Sequence, residues 1–152
     1  MPSEDIRWPL GGEIDILENR GRISNISSSA LHFGKQWNKK STLVGEALIP
    51  RQVRFQDKFH SISLVWKENV IAFYLDNSSD PYFTISSDHS EFKKYKYPFN
   101  RDYYMILNVA VGGKYDDYWV DFDAFCNDEE CSNKEDPDSH RFIIDWIEYE
   151  RL

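Results

Sequence analysis

The feature that most constrains the fold is the scarcity of helical periodicity beside a succession of short strand patterns. No long stretch repeats apolar residues at the i, i+3, i+4, i+7 spacing of a capped amphipathic helix. Strand patterns occur instead at 59–66, 70–75, 103–111 and 142–149, and turn residues separate them. Several short strands of this kind predict an all-β fold, a jelly-roll β-sandwich of two antiparallel sheets.

The strand patterns differ in what they predict. Residues 67–69, between the first two patterns, are typical of a hairpin loop. The segment 103–111 is almost continuously apolar, as in a strand covered on both faces, and Asn108 interrupts it. A buried amide needs hydrogen-bond partners, so Asn108 is either a core anchor or a residue of a substrate cleft. The segment 142–149 is expected to form the last strand, although Asp145 breaks its apolar pattern.

Composition and charge exclude several classes of function. The formal net charge of −8 argues against nucleic acid and anionic membrane surfaces as partners, because both require clustered Lys and Arg. No apolar run approaches the roughly 20 residues of a membrane span. Aromatic residues make up 16% of the 152 residues, and their rings suit both a sandwich core and the apolar faces of sugars. The length is that of a single domain.

The only two cysteines, Cys126 and Cys131, lie in an acidic and irregular segment, 116–139. Their spacing is compatible with a small disulfide, and two unpaired thiols are the alternative. The residues alone leave both possibilities open.

The segment 8–18 carries the pattern with the most chemical content, W-P-L-G-G-E-I-D-I-L-E. Glu13 and Asp15 alternate with isoleucine, so one face of a strand is acidic and the other is apolar. On a regular strand Glu18 would point to the face opposite Glu13. One extra residue at 16–17, a β-bulge, would return Glu18 to the side of Asp15.

Three acids on one face suit the hydrolysis of a glycosidic bond. A retaining glycosidase holds two carboxyl groups about 5–5.5 Å apart, with the anomeric carbon between them. With the bulge, Glu13 and Glu18 are roughly 13 Å apart between Cα atoms, and side chains that lean toward each other close most of this gap. Crowding of acids raises at least one pKa, so one group is expected to keep its proton. A solvent-exposed acidic edge strand is the alternative.

At this motif the sequence resembles glycoside hydrolase family 16, the laminarinase-like β-jelly rolls, and the related invertebrate β-glucan-recognition proteins. The catalytic strand of that family has the pattern E-x-D-x-x-E, often preceded by W-P-x-x-G. Further similarities follow in the order of the family, at 31–34, 59–66, 74–76, 107–113 and 144–147. The resemblance spans nearly the whole chain and implies a jelly roll with a concave substrate cleft.

The resemblance implies Glu13 as nucleophile, Asp15 as its assistant and Glu18 as acid/base. It implies a retaining endo-β-glucan hydrolase, and the longer motif is similar to the β-1,3-glucanase branch. The expected partner is a β-glucan polysaccharide, bound by a monomeric, extracellular or secretory-pathway protein without a catalytic cofactor. A non-catalytic β-glucan-binding protein of the same fold and an inactive fragment are the alternatives.

The resemblance also implies residues around the acids. Trp8 would stack on a sugar near the cleaved bond. His32 would line the cleft or serve as a structural imidazole, and Trp37 would flank the cleft or anchor the surface. Asn108 would join them as a substrate-binding residue. Asp145 matches a position that ligates a structural calcium ion in many relatives, and the oxygen of a carboxylate suits such a hard cation.

Members of the family carry roughly one further half-domain before the catalytic strand. Residues 1–152 are therefore expected to form the C-terminal portion of a single family 16-like jelly-roll domain, incomplete at its N-terminus. The other ligands of a calcium ion at Asp145 would come from that N-terminal part.

Overall fold

The computed structural model describes residues 1–121 and 141–151. The chain forms two compact units, Met1–Ile106 and Leu107–Leu152. Within the described residues, no helix has the length and apolarity needed to cross a membrane. Cys126 and Cys131 lie outside the described residues, so their pairing stays a prediction.

The first unit begins with an antiparallel sheet in the order β1-β2-β3. Its strands are β1 (Glu13–Asn19), β2 (Ile26–Gln36) and β3 (Lys39–Leu48). Over most of its length β2 pairs with β3 without a slip. Leu31 and Phe33 of β2 are fully buried, so every second side chain of this strand faces the core.

The second sheet is also antiparallel and has the order β4-β5-β6. Its strands are β4 (Ile62–Lys67), β5 (Val70–Leu75) and β6 (Phe83–Ser86), preceded by a 3₁₀ turn at Phe55–Asp57. The predicted hairpin between β4 and β5 is confirmed, and Asn69 in its turn has a φ of 65°. A short helix, α1 (Ser90–Lys94), follows β6, and a 3₁₀ turn at Lys114–Asp116 belongs to the second unit.

The core of the first unit lies between the two sheets and is rich in aromatic rings. Its buried members come from both sheets, from α1 and from the segment after α1; they are Leu31, Phe33, Ile71, Phe73, Ile85, Phe92, Tyr95 and Phe99. The ring of Phe33 lies 4.4 Å from that of Phe92 and 6.1 Å from that of Phe99. Two antiparallel sheets packed over a shared core confirm the predicted all-β sandwich.

The strands predicted at 103–111 and 142–149 are not formed among the described residues. The structure shows only an isolated bridge between Pro2 and Tyr103 in the first of these segments, and no ladder in the second. A strand persists only when a neighbouring strand satisfies its N–H and C=O groups. The apolar pattern has the composition of a strand, but among the described residues its pairing is limited to the contact of residues 103–104 with the N-terminus.

The chain enters β1 through Gly12, which is buried and has a φ of +81°. A Cβ atom at this position would lie 2.6 Å from Oη of Tyr103, 2.8 Å from Cε1 of Phe99 and 2.8 Å from Cγ of Pro98. These contacts are shorter than van der Waals separations, and the backbone conformation itself disfavours a side chain. Glycine is therefore required immediately before Glu13.

We expect Gly12→Ala to lower the free energy of unfolding by about 2–5 kcal/mol, from left-handed backbone strain and overpacking together. Gly21→Ala is the matched control, because no atom lies within 4 Å of its added Cβ. Urea unfolding followed by tryptophan fluorescence measures both variants. Equal midpoints for the two would contradict the close packing around Gly12.

Candidate active site

The pairing of β1 with β2 contains a bulge in the middle of the acidic motif. The antiparallel register shifts between Asp15 and Glu18, where residues 16–17 of β1 oppose the single residue Ser29 of β2. Two residues against one is the definition of a β-bulge. The bulge predicted from the sequence at this position is confirmed.

The register places the three acids of β1 on one face of the first sheet, here called the acidic face. Their partners are alternate residues of β2, namely His32 for Glu13, Ala30 for Asp15 and Ser28 for Glu18. Alternate residues of a regular strand share a face, and directly paired residues share it too. On the opposite face Ile14 pairs with Leu31 and packs against the core, which gives the acids a rigid backing.

Trp8 contacts the first acid directly. Its indole Nε1 donates a hydrogen bond to Oε2 of Glu13 at 2.7 Å. The indole ring lies 5.1 Å from that of Trp37 and 6.4 Å from the ring of His32. The stacking of Trp8 on a sugar, which the resemblance implies, stays a prediction, and the hydrogen bond shows that Trp8 also anchors the carboxylate of Glu13.

Lys40 is a residue of the acidic face that no sequence motif singled out. It pairs with Gly34 across β2 and β3, and its Nζ lies 4.9 Å from the ring of Trp8 and 5.3 Å from that of Trp37. These are cation–π distances. Trp37 is 71% exposed, so much of its ring is open to a ligand. Only the strand register brings Lys40 to the tryptophans, and no pattern along the chain indicates this contact.

Asp15 and His32 form the middle of the acidic face. Nε2 of His32 lies 3.1 Å from Oδ2 of Asp15, and Nδ1 is hydrogen-bonded to Oγ1 of Thr42 at 2.8 Å. Apart from this contact with His32, Oδ2 of Asp15 is buried and has no hydrogen-bond partner among the described residues. Asp15 therefore lies between Glu13 and Glu18 on the acidic face, with the imidazole of His32 as its neighbour.

Burial raises the pKa of Glu18, and the negative charge of Asp15 raises it further. His32 and Arg20 act in the opposite direction, and Glu13 adds a smaller increase. A raised pKa on a carboxyl group beside two other carboxyl groups has the direction that general acid catalysis requires.

Glu13, Asp15 and His32 each offer a potential ligand atom, and these atoms lie within 4.8 Å of one another. Oε2 of Glu13 already accepts the indole hydrogen bond of Trp8. Asp145 belongs to no group of three or more potential ligands in the described ranges, 1–121 and 141–151. Calcium also takes backbone carbonyl and water oxygens, so the calcium ligation that the resemblance implies at Asp145 stays a prediction.

The structure brings together six of the eight residues that the sequence singled out. They are Trp8, Glu13, Asp15, Glu18, His32 and Trp37, all of the first unit. Asn108 and Asp145 belong to the second unit, and both are exposed. The predicted roles of these two residues stay predictions.

We expect Asp15→Asn to lower the pKa of Glu18 while leaving it above its ordinary value, because burial is the larger cause of the shift. Titration of the Glu18 carboxyl carbon by NMR measures this change. Asp80→Asn is the matched control, because Asp80 is not among the groups that act on Glu18. An unchanged Glu18 titration in Asp15→Asn would show that the two acids do not share a face.

Comparison with known proteins matches the model of a family described as glycosyl hydrolases family 16 to residues 1–148. The chain is 31% identical over 124 residues to glucan endo-1,3-beta-glucosidase A1 of Niallia circulans, covering 76% of this chain and 18% of that protein. It is 32% identical over 126 residues to beta-1,3-glucan-binding protein of Penaeus monodon, covering 70% of this chain and 34% of that protein.

Among solved structures the chain is similar to the catalytic domain of an endo-1,3-beta-glucanase (laminarinase) from Thermotoga petrophila RKU-1. The TM-score is 0.52 at 24% identity, covering 64% of this chain and 38% of that chain, and the likeness shows the fold. The chain thus spans less than half the length of each of these proteins. The family match over nearly all of its residues shows that the chain belongs to glycosyl hydrolases family 16.

Proposed function

We propose that this chain carries the catalytic strand of a retaining endo-β-glucan hydrolase that acts on β-1,3-glucan. The observation that carries the proposal is the bulged register of β1, which puts Glu13, Asp15 and Glu18 on one face. The raised pKa of Glu18 has the direction expected of the group that donates the proton in such a reaction.

In the first step Glu13, as a carboxylate, attacks the anomeric carbon. Glu18 donates its proton to the glycosidic oxygen as the bond to the leaving sugar breaks, and the sugar remaining on the enzyme forms an ester with Glu13. In the second step Glu18, now a carboxylate, takes a proton from water. That water attacks the anomeric carbon and releases Glu13, so two inversions give net retention.

The neighbours of the two glutamates support this division of roles. The indole N–H of Trp8 holds the carboxylate of Glu13 in one orientation. Glu13 and Asp15 both raise the pKa of Glu18 through their charge. Ester formation removes the charge of Glu13, so the pKa of Glu18 falls in the intermediate. That is the direction Glu18 needs to change from acid to base.

The aromatic pair Trp8 and Trp37 beside the acids suits a neutral polysaccharide. The half-buried indole of Trp8 and the exposed indole of Trp37 offer apolar faces on which sugar rings stack, and the nearby ammonium group of Lys40 is a donor for hydroxyl oxygens. The net charge of −8 is no obstacle to a neutral glucan. The relatives named for β-1,3-glucan support this polymer as the substrate.

A non-catalytic β-glucan-binding protein is the second candidate, favoured by the likeness to the Penaeus monodon β-1,3-glucan-binding protein. Binding alone would need the aromatic pair but not a protonated carboxyl group beside two others. The intact acidic motif of β1 and the raised pKa of Glu18 support the enzyme. Binding of insoluble β-1,3-glucan without release of any sugar would favour the second candidate.

We expect Glu13→Gln and Glu18→Gln each to lower the release of reducing ends from laminarin by about 10²-fold or more, since each removes one partner of the displacement. Glu46→Gln is the matched control. Glu46 pairs with Ser28 on the outer strand β3, and its exposed carboxylate faces the same side of the sheet. Glu13→Gln with the activity of the parent would refute the assignment of the nucleophile.

We expect kcat/KM on laminarin to fall on the alkaline side as Glu18 loses its proton. Since burial and the charge of Asp15 raise the pKa of Glu18, Asp15→Asn moves this limb to lower pH. An aryl glucoside with a good leaving group needs no proton from Glu18 to break its glycosidic bond. The rate of its glycosylation step, measured as the burst of released aryl alcohol, should therefore not fall on the alkaline side. If the rates on both substrates fell at the same alkaline pH, a group other than Glu18 would control that decrease.

A further inference from the structure

The bulge of β1 is held by two side chains that lie outside the acidic motif. Ser29 of β2 is the residue opposite the bulge, and it is fully buried. Its Oγ donates a hydrogen bond to the carbonyl oxygen of Ile16, one of the two bulged residues, at 2.7 Å. The hydroxyl oxygen of Tyr82 lies 2.6 Å from the same Oγ.

The direction of these hydrogen bonds follows from the number of protons. A serine hydroxyl has one hydrogen, and the carbonyl oxygen of Ile16 accepts only. The hydrogen of Ser29 therefore goes to Ile16, and the hydroxyl of Tyr82 donates to Ser29. The result is a chain of two hydrogen bonds, from Tyr82 through Ser29 to the bulged backbone.

Tyr82 is attached to the second sheet, although it lies just outside its strands. It lies immediately before β6, its backbone N–H donates to the carbonyl oxygen of Phe73 at 3.0 Å, and its ring is 6.3 Å from that of Phe73. Ser29 lies on the core-facing side of β2, two residues before Leu31. The chain of hydrogen bonds therefore crosses the core and ties the bulge of one sheet to a fixed point on the other.

Without the bulge the acids would separate. Continuing the register of Asp15 and Ala30 without a slip would pair Glu18 with Ser27, on the core-facing side of β2. The side-chain period of a strand is two, so one residue of slip changes the face. A bulge that loosens without slipping would still move the carboxyl group of Glu18, and a misplacement of about 1 Å lowers a rate by about 10²-fold.

We propose that Ser29 and Tyr82 are positioning residues, which hold the bulge in the register that keeps Glu18 beside Asp15 and Glu13. The consequence for the reaction rests on the proposed function. The consequence for the position of Glu18 does not, because it concerns only the backbone of β1.

The test uses Ser29→Ala, Tyr82→Phe and the double variant. Tyr97→Phe is the matched control: the hydroxyl of Tyr97 is also buried, but it has no hydrogen-bond partner among the described residues. Far-UV circular dichroism and melting temperature select variants that remain folded. Tyr82→Phe changes no packing volume apart from one oxygen, so it keeps the test available if Ser29→Ala unfolds.

The first readout is the NMR titration of Glu18, which needs no activity. We expect its pKa to move toward the ordinary value in Ser29→Ala and Tyr82→Phe, because Glu18 leaves its half-buried place beside Asp15, and to stay unchanged in Tyr97→Phe. The double variant should match Ser29→Ala, since both side chains act through one hydrogen-bonded chain. A Glu18 titration equal to that of the parent in both single variants would overturn the proposal.

The second readout is the hydrolysis of laminarin. We expect kcat to fall by about 10-fold in Tyr82→Phe and about 10²-fold in Ser29→Ala, with KM changed less than about twofold, because binding groups stay in place. Equal losses in Tyr97→Phe would overturn the proposal. A parent without hydrolytic activity whose Glu18 titration still shifts in the two single variants would refute the proposed function and support the positioning of Glu18.

Discussion

A mismatch of one residue between β1 and β2 determines the chemistry of the acidic face. Side chains on a strand alternate with a period of two, so an odd spacing such as that from Glu13 to Glu18 normally separates faces. The extra residue at 16–17 shifts the alternation of side chains by one position, so all three acids lie on the same face of the sheet. The raised pKa of Glu18 follows from this, because it depends on burial and on the charge of Asp15.

Three acids this close repel one another, and the surroundings offset that cost. The indole of Trp8 donates to Glu13, and the imidazole of His32 lies beside Asp15. Burial and the charge of Asp15 raise the pKa of Glu18, which is the direction that the proposed reaction needs. The aromatic core behind β1 offsets the destabilisation caused by the crowded acids, because Ile14 of the same strand packs directly against that core.

Local sequence patterns anticipated much of the fold and most of the acidic face. Alternation predicted the hairpin of β4 and β5, and the spacing of the acids predicted the bulge. The strands β2 and β3 lack a clear strand pattern in the sequence, because serines at 27–29 and lysines at 39–40 dilute their apolar residues. The segment 103–111 shows the reverse error, since it has strand composition but no ladder among the described residues.

The sequence by itself determined the β class, the acidic motif and the need for a bulge, because these depend on side-chain alternation over a few neighbouring residues. Tertiary structure alone decided which side chains hold that bulge and which surround the acids. Tyr82 reaches Ser29 across 53 positions of sequence, and Lys40 reaches Trp8 through pairing of β2 with β3. Contacts between the two sheets and between paired strands join residues far apart in the sequence. No periodic pattern over neighbouring residues therefore predicts them.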